Sequence, residues 1–310
     1  MVFQYKRISR NAHVFRAMTG LSVREFDSLA EEVLPLIAKA DRRRLDEARP
    51  QRQREMGGGR TPTLKLVDQL LLTIVWLRKY PTHETLGYLF GVSDSTAGRI
   101  IHQVLPVLET VGRTTMQLPN PGRKRGRTLD SLLHDVPELA VVIDTFEQAV
   151  QRPEGRVAAD SYYSGKKRRH TLKSQVVVDG YSGHIVDVAD SVPGPTADMT
   201  LLKQSGFLQR LPPAIGILGD LAYVGIDQLH PAGLGACPRR KPPGQPRPQA
   251  DVQYNTAFAR VRVIVEHSLL RLRRYEAVTQ MDRNHRRDHT ARVIAGSLLV
   301  NHQLRSRFVH

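Results

Sequence analysis

The chain has 310 residues, with 46 lysines and arginines against 30 aspartates and glutamates, a formal net charge of +16. Its 40% hydrophobic and 6% aromatic content suits a globular core large enough for two domains, and a single cysteine, Cys237, excludes a disulfide framework and a multi-cysteine zinc site. A chain this basic is expected to meet a polyanion, and without an amphipathic anchor that polyanion is nucleic acid rather than membrane.

Lys6, Arg7 and Arg10 stand where a secretory signal would place apolar residues, and no apolar run approaches the roughly 20 residues of a membrane span. A cytoplasmic protein is expected. Residues 1–56 read as a helical N-terminal element. Ser22-Val-Arg-Glu25 has the form of a capping box and leads into Phe26, Leu29, Val33, Leu34 and Ile37. Asp41–Arg54 is dense in arginine and glutamate before Gly57-Gly58-Gly59 breaks the pattern, and the element reads as support or dimerisation.

Residues 57–111 predict a helix-turn-helix DNA-binding domain. Leu66, Leu70, Ile74 and Leu77 mark one helix face within Leu64–Tyr80, stopped by Pro81. Thr82 caps a short helix through Phe90, Gly91 makes a turn, and Ser93 or Asp94 caps a third helix carrying Ala97, Ile100, Ile101 and Val104. Small Gly87 would let two helices cross closely. The solvent side of the third helix would present Ser95, Thr96, Arg99 and His102, types that contact phosphates and base edges; an ordinary three-helix bundle fits the pattern nearly as well. Residues 112–135 have a linker's composition, and Arg123, Lys124 and Arg125 are placed along a DNA backbone or in solvent.

From residue 136 the pattern turns α/β. Leu139-Ala-Val-Val-Ile143 predicts a strand buried on both faces and ending on Asp144. Glu147–Arg152 is expected to pair back as a second strand, and His170–Asp179 to form a third. Gly180 and Gly183 then turn a hairpin into His184–Val192. A helix over 197–211 leads to the strand Ala214–Leu218, which runs into Gly219-Asp220. Residues 231–250 form a basic, Pro/Gly-rich loop. Asn255 is expected to cap a helix to about Tyr275, with Glu266 at the edge of its core stripe beside Arg262 and Arg273, and a last helix spans about 287–305.

Two aspartates thus end two core strands, and one glutamate borders a helix packed on the sheet. Hard divalent cations take carboxylate oxygens, and two of them about 4 Å apart activate an attacking hydroxyl and stabilise a leaving oxygen. Asp144, Asp220 and Glu266 are therefore the candidate ligands of two Mg2+ (or Mn2+) ions. Lys166, Lys167, Arg168 and Arg169 in a basic turn, with Arg262 and Arg273, are the candidate phosphate contacts beside them.

These blocks resemble the DDE transposases of bacterial insertion sequences and their Harbinger-like relatives over nearly the whole chain. Asp68-Gln-Leu-Leu-Leu72, Trp76-Leu-Arg-Lys-Tyr80-Pro81 and Leu89-Phe-Gly-Val-Ser93 look like that group's helix-turn-helix segment. Val142-Ile-Asp144 through Gln151-Arg-Pro153, Gly219-Asp-Leu-Ala-Tyr-Val-Gly225 and Arg262-Val-Ile-Val-Glu266-His267 are similar to its three acid blocks. Tyr162–Lys173 and Ala197–Lys203 resemble the blocks between them. The resemblance implies an RNase H-like catalytic domain over 136–310 with Asp144, Asp220 and Glu266 as metal ligands. It also implies cleavage at terminal inverted repeats, then attack of the freed 3′-OH on target double-stranded DNA. The protein would act as a homodimer or higher oligomer, since two element ends must be held together. Thr145 and Ala222 depart slightly from the family pattern without removing a ligand. The rival expectation is a domesticated, DNA-binding regulator with a silent catalytic fold.

Tyr162 and Tyr163 suggest a covalent phosphotyrosine only if an Arg/His clamp surrounds them, and packing or stacking on DNA is favoured. His285 and His289 have helical metal-pair spacing but no evident third ligand. Asp198, read first as a helix cap, and Glu147 are candidate supports just behind the metal ligands. His267 points to the solvated face of its helix.

Overall fold

The computed structural model describes residues 3–48, 62–121, 133 and 136–305. They form two compact units. The first takes the residues up to Thr114, Arg274–Val278 and the chain from Ile294 onward; the second takes Thr115–Arg273 and Thr279–Val293. Gly57–Gly59 and the triplet Arg123, Lys124 and Arg125 lie outside the described residues.

The first unit opens with α1 (Tyr5–Ile8), α2 (Ala12–Thr19), α3 (Val23–Ala48), α4 (Leu66–Lys79), α5 (His83–Phe90) and α6 (Asp94–Thr115). The capping box forms as its residue types require: Ser22 N–H donates to Glu25 Oε2 at 2.6 Å, and Glu25 N–H donates to Ser22 Oγ at 3.2 Å. Every residue of α4 from Asp68 to Leu77 is buried, so this helix is the axis of the unit. Tyr80 closes it in the left-handed region, one residue before Pro81. Thr82 Oγ1 caps α5 by accepting from Thr85 N–H, and Ser93 Oγ caps α6 by accepting from Thr96 N–H. Gly87 has a specific reason to be glycine: a Cβ there would lie 2.6 Å from the Val92 carbonyl oxygen, so any side chain would push the α5–α6 turn away.

The second unit contains β1 (Ala140–Ala149), α7 (Arg156–Tyr162), β2 (Tyr163–Ser164), β3 (Arg169–Asp179), β4 (Ile185–Val188), β5 (Val192–Pro193), α8 (Asp198–Gln204), α9 (Phe207–Arg210), β6 (Gly216–Leu218), α10 (Ile226–Leu229), β7 (Gly235–Ala236) and α11 (Gln249–Leu272). α12 (His289–Arg305) begins in this unit and ends in the first. One mixed sheet runs in the order β2-β3-β1-β6-β7, with β4 and β5 paired to β3. β1 lies antiparallel to β3 along its whole length and parallel to β6 only from Ala140 to Val142. Val141, Ile143 and Val177 point into a core with Leu202, Phe207, Ile217, Tyr223 and Ile226. The alternate residues of β1 turn to the face covered by α11. This is the expected α/β architecture behind an all-α region.

Three expectations need correction. β1 does not stop at Asp144, and residues 147–149 continue the same strand instead of pairing back as a second one. The apolar run stops at Ile143 because β6 ends at Leu218, leaving the rest of β1 more exposed; β3 still supplies its hydrogen bonds. The helix over 197–211 is two short helices broken at Gly206, whose φ of 67° is left-handed. α11 begins at Gln249, so Asn255 lies inside it and does not cap it. Among the described residues no helix is long and apolar enough to cross a membrane.

Candidate active site

The strand register brings the two aspartates together. β1 and β6 are parallel, with Val142 opposite Leu218, and two further residues place Asp144 alongside Asp220. Both lie where β6 gives out, and the carboxyl edge of neighbouring parallel strands is where α/β sheets bind ligands. Asp220 leaves the strand to cap a 3-10 turn, Leu221–Tyr223, with Oδ1 accepting from Ala222 N–H at 2.8 Å. Asp144 Oδ1 accepts from Thr145 N–H at 2.8 Å, and its Oδ2 lies 3.7 Å from Arg262 Nη2 of α11.

The electrostatics match that geometry. Burial raises the Asp144 carboxyl above its ordinary value; the Thr145 bond and Arg262 oppose this, and the charges of Asp220 and Asp198 add to it. Tyr223, fully buried behind the pair, is raised by burial first and then by Asp198, Asp144 and Asp220. Asp198 is therefore within electrostatic reach of Asp144 and of the Tyr223 hydroxyl. Its Oδ1 is 2.6 Å from Lys173 Nζ, which also donates to the Thr196 carbonyl.

Glu266 lies one turn beyond Arg262 on α11, on the flank shared with Arg273, whose guanidinium sits 6.0 Å from the Phe146 ring centroid of β1. Its side chain is exposed and makes no hydrogen bond or ion pair among the described residues. Among those residues no three His, Cys, Asp or Glu side chains gather closely enough to hold a metal ion by themselves. The donor set at Asp144 and Asp220 nevertheless suits a hard cation: two carboxylates that repel each other, one of them half-buried and resisting ionisation, are relieved by a divalent ion that keeps several waters.

Glu147 points to the sheet face opposite Asp144, where its Oε2 accepts from Thr171 Oγ1 at 2.7 Å. Lys166–Arg169 forms the exposed turn between β2 and β3, with Arg168 in the left-handed region at φ 52°. Tyr162 carries the Arg286 guanidinium 4.7 Å from its ring centroid, and Tyr163 packs edge-on against His170. His289 is fully buried between Gln148 Oε1 and Ser191 Oγ, which satisfies both ring nitrogens without metal. In the first unit Ser95, Arg99 and His102 are exposed and Thr96 is half-buried, all on the face of α6 expected from the pattern. Ser93, Thr96, Arg99 and Gln103 line a cleft of 620 Å³ together with Arg44 and Gln69.

Lys173, Tyr223 and Arg240 escaped the sequence reading. Lys173 left a signal: a lysine within an otherwise inward-facing strand needs a buried carboxylate, and Asp198 supplies it. Arg240 donates to the Leu221 carbonyl at 3.1 Å, a contact that nothing in its own loop announces.

Residues 143–301 match the family described as DDE superfamily endonuclease, and residues 62–114 match the helix-turn-helix of DDE superfamily endonuclease. A protein of Microchaete diplosiphon, named as the probable transposase for insertion sequence element IS702, is 28% identical over 295 residues, covering 94% of this chain and 95% of its own. A protein of Streptomyces albus G, provisionally named as the transposase for insertion sequence element IS112, is 26% identical over 219 residues, covering 70% of this chain and 73% of its own. No solved structure matches the chain.

Proposed function

The chain belongs to the DDE superfamily of endonucleases, and on that footing we propose that it is a DNA transposase, one that binds terminal inverted repeats, cuts the element ends and joins their 3′-OH groups to target double-stranded DNA. The observation that carries this reading is the parallel register of β1 and β6, which sets Asp144 beside Asp220 with Arg262 facing them. The names of the two relatives support it, as does the helix-turn-helix segment before the catalytic fold.

In this reading Asp144, Asp220 and Glu266 hold two divalent ions, Mg2+ or Mn2+. When bound, such ions activate the attacking water or 3′-OH and offset charge at the leaving oxygen. The chain's own residues do the rest. Arg262 restrains the Asp144 carboxylate at Oδ2, and the N–H groups of Thr145 and Ala222 each fix the Oδ1 of an aspartate, leaving Asp220 Oδ2 for a ligand. Lys173 holds Asp198 behind them, so Asp198 is a positioning group; Glu147, turned to Thr171, supports the strand from the other face. Lys166, Lys167, Arg168, Arg169 and Arg273 meet the DNA backbone around the acids. On the first unit Ser95, Thr96, Arg99 and His102 read the duplex, with Arg123, Lys124 and Arg125 as further phosphate contacts. The active species is a homodimer or higher oligomer, since two ends must be paired.

Asp144→Asn, Asp220→Asn and Glu266→Gln, assayed on duplex DNA flanking the coding region with Mg2+ or Mn2+, should each abolish cleavage and leave DNA binding in place. Undiminished cleavage by any of the three removes that residue from the mechanism. A second reading, a DNA-binding regulator with a silent catalytic fold, draws on the exposed, unengaged position of Glu266. Cleavage by the wild-type chain excludes it.

A further inference from the structure

Two parallel strands, β6 and β7, end side by side at the acidic site, while β1 runs on past Asp144. Two residues past Val142 and Leu218 lie Asp144 and Asp220; two residues past Leu218 and its β7 partner Ala236 lie Asp220 and Pro238. The chain then reads Arg239-Arg240-Lys241, and Arg240 reaches back to the residue after Asp220. This segment is fastened to α11, the helix that carries Arg262 and Glu266. Asn255 holds the Arg239 backbone at both ends, accepting from its N–H at 2.7 Å and donating to its carbonyl at 3.0 Å. The Arg239 guanidinium lies 4.1 Å from the Tyr254 ring centroid and 3.3 Å from Asp251 Oδ1. Its charge is therefore engaged by groups of the protein itself.

Arg240 and Lys241 stand differently. Arg240 is exposed and uses Nη2 on the carbonyl of Leu221, the residue after Asp220. That leaves the remaining N–H groups of a rigid fork facing outward. Lys241 is exposed beside it. Two cations on a fastened backbone, next to a pair of aspartates that repel anions, have the placement needed to seat a polyanion that must nevertheless approach those aspartates.

We propose that Arg240 and Lys241 form a phosphate-binding site for the DNA strand being processed, with Arg240 also holding the Asp220 turn through the Leu221 carbonyl. The inference rests on the reading of the chain as a DNA-processing enzyme and names the residues that bring the strand to its acids. Two phosphates engaged by two cations contribute about 1.8 to the slope of log affinity against log salt, at roughly 0.9 per contact.

The test measures binding of a fluorescein-labelled mixed-sequence duplex by the full chain in EDTA across a salt series. Arg240→Gln and Lys241→Gln should each reduce the slope by about 1, and the double variant by about 2. Lys203→Gln, which removes an exposed lysine of α8, should leave it unchanged. Lys241→Gln breaks no bond within the fold, so it reads the phosphate contact even if Arg240→Gln disturbs the turn. A wild-type slope in the double variant overturns the proposal; so does a lowered melting temperature with an unaltered slope, the mark of a mere staple. Because no metal is present, the outcome is separate from the nuclease reading, whose own failure shows as wild-type protein that cuts no DNA with Mg2+ or Mn2+.

Discussion

Lys173 Nζ lies 2.6 Å from Asp198 Oδ1, with both side chains largely withdrawn from water, at 10% and 18% exposure. The pair ties β3 to the first turn of α8 directly behind the acidic edge. Removing one partner strands the other charge. Lys173→Met should therefore destabilise the protein by roughly 3 kcal/mol in urea unfolding, and the double variant Lys173→Met/Asp198→Leu should recover most of that loss. Equal losses in the single and double variants would show that the ion pair is not what the site depends on.

The surroundings of Asp144 work against its ionisation. Its folded pKa is raised, first by burial, so ionisation costs the folded state stability once pH rises above the ordinary value of 3.8. Asp144→Asn should melt higher than wild type at neutral pH, and that gain should disappear below about pH 4. Cleavage should vanish in the same variant, a trade of stability for function at one residue. Thermal melts at several pH values check the first claim and a nicking assay the second.

His289 gives the opposite pH signature. Burial, with Arg292 nearby, lowers it to about 3 from 6.5. The unfolded chain takes up a proton below pH 6.5 while the folded chain does not, so stability falls as pH falls through the window from 6.5 to about 3. Between pH 6.5 and 4.5 this amounts to roughly 2 kcal/mol. His289→Gln should lose that share of the acid sensitivity in denaturant titrations, whatever its stability at pH 7.

DNA binding and cutting should separate cleanly. EDTA should stop cleavage and leave duplex binding intact. Arg99→Ala, on the exposed face of α6, should weaken binding by about 1 kcal/mol or more without touching the acids. Gel-shift and cleavage assays on the same duplex distinguish the two effects.

Much of this architecture was legible in the residues. The Ser22–Glu25 capping box, the Thr82 and Ser93 caps and the α4 stripe are local, so their chemistry shows in the sequence. The end of β1 was not, because its apolar run marks where β6 stops covering it, while the hydrogen bonds that continue it come from β3, some thirty residues further on. The single helix expected over 197–211 takes no account of Gly206, where the chain needs a left-handed residue. Asn255 looked like a cap because asparagine usually is one; its partner, the Arg239 backbone, lies sixteen residues away. For the acids, register decides the pairing of Asp144 with Asp220. Helical periodicity places Glu266 only on the flank of α11 that carries Arg262 and Arg273.

The grip of Asn255 on Arg239 closes a ring of chain at its base. Residues 242–248 hang outside that ring, exposed or nearly so, and α11 starts only at Gln249. Lengthening or shortening this stretch therefore leaves the turn at Asp220 where it is, since added residues extend a loop already pinned at the neck. Descendants of this protein have a place where new contacts with foreign sequence can be tried without risk to the reaction itself.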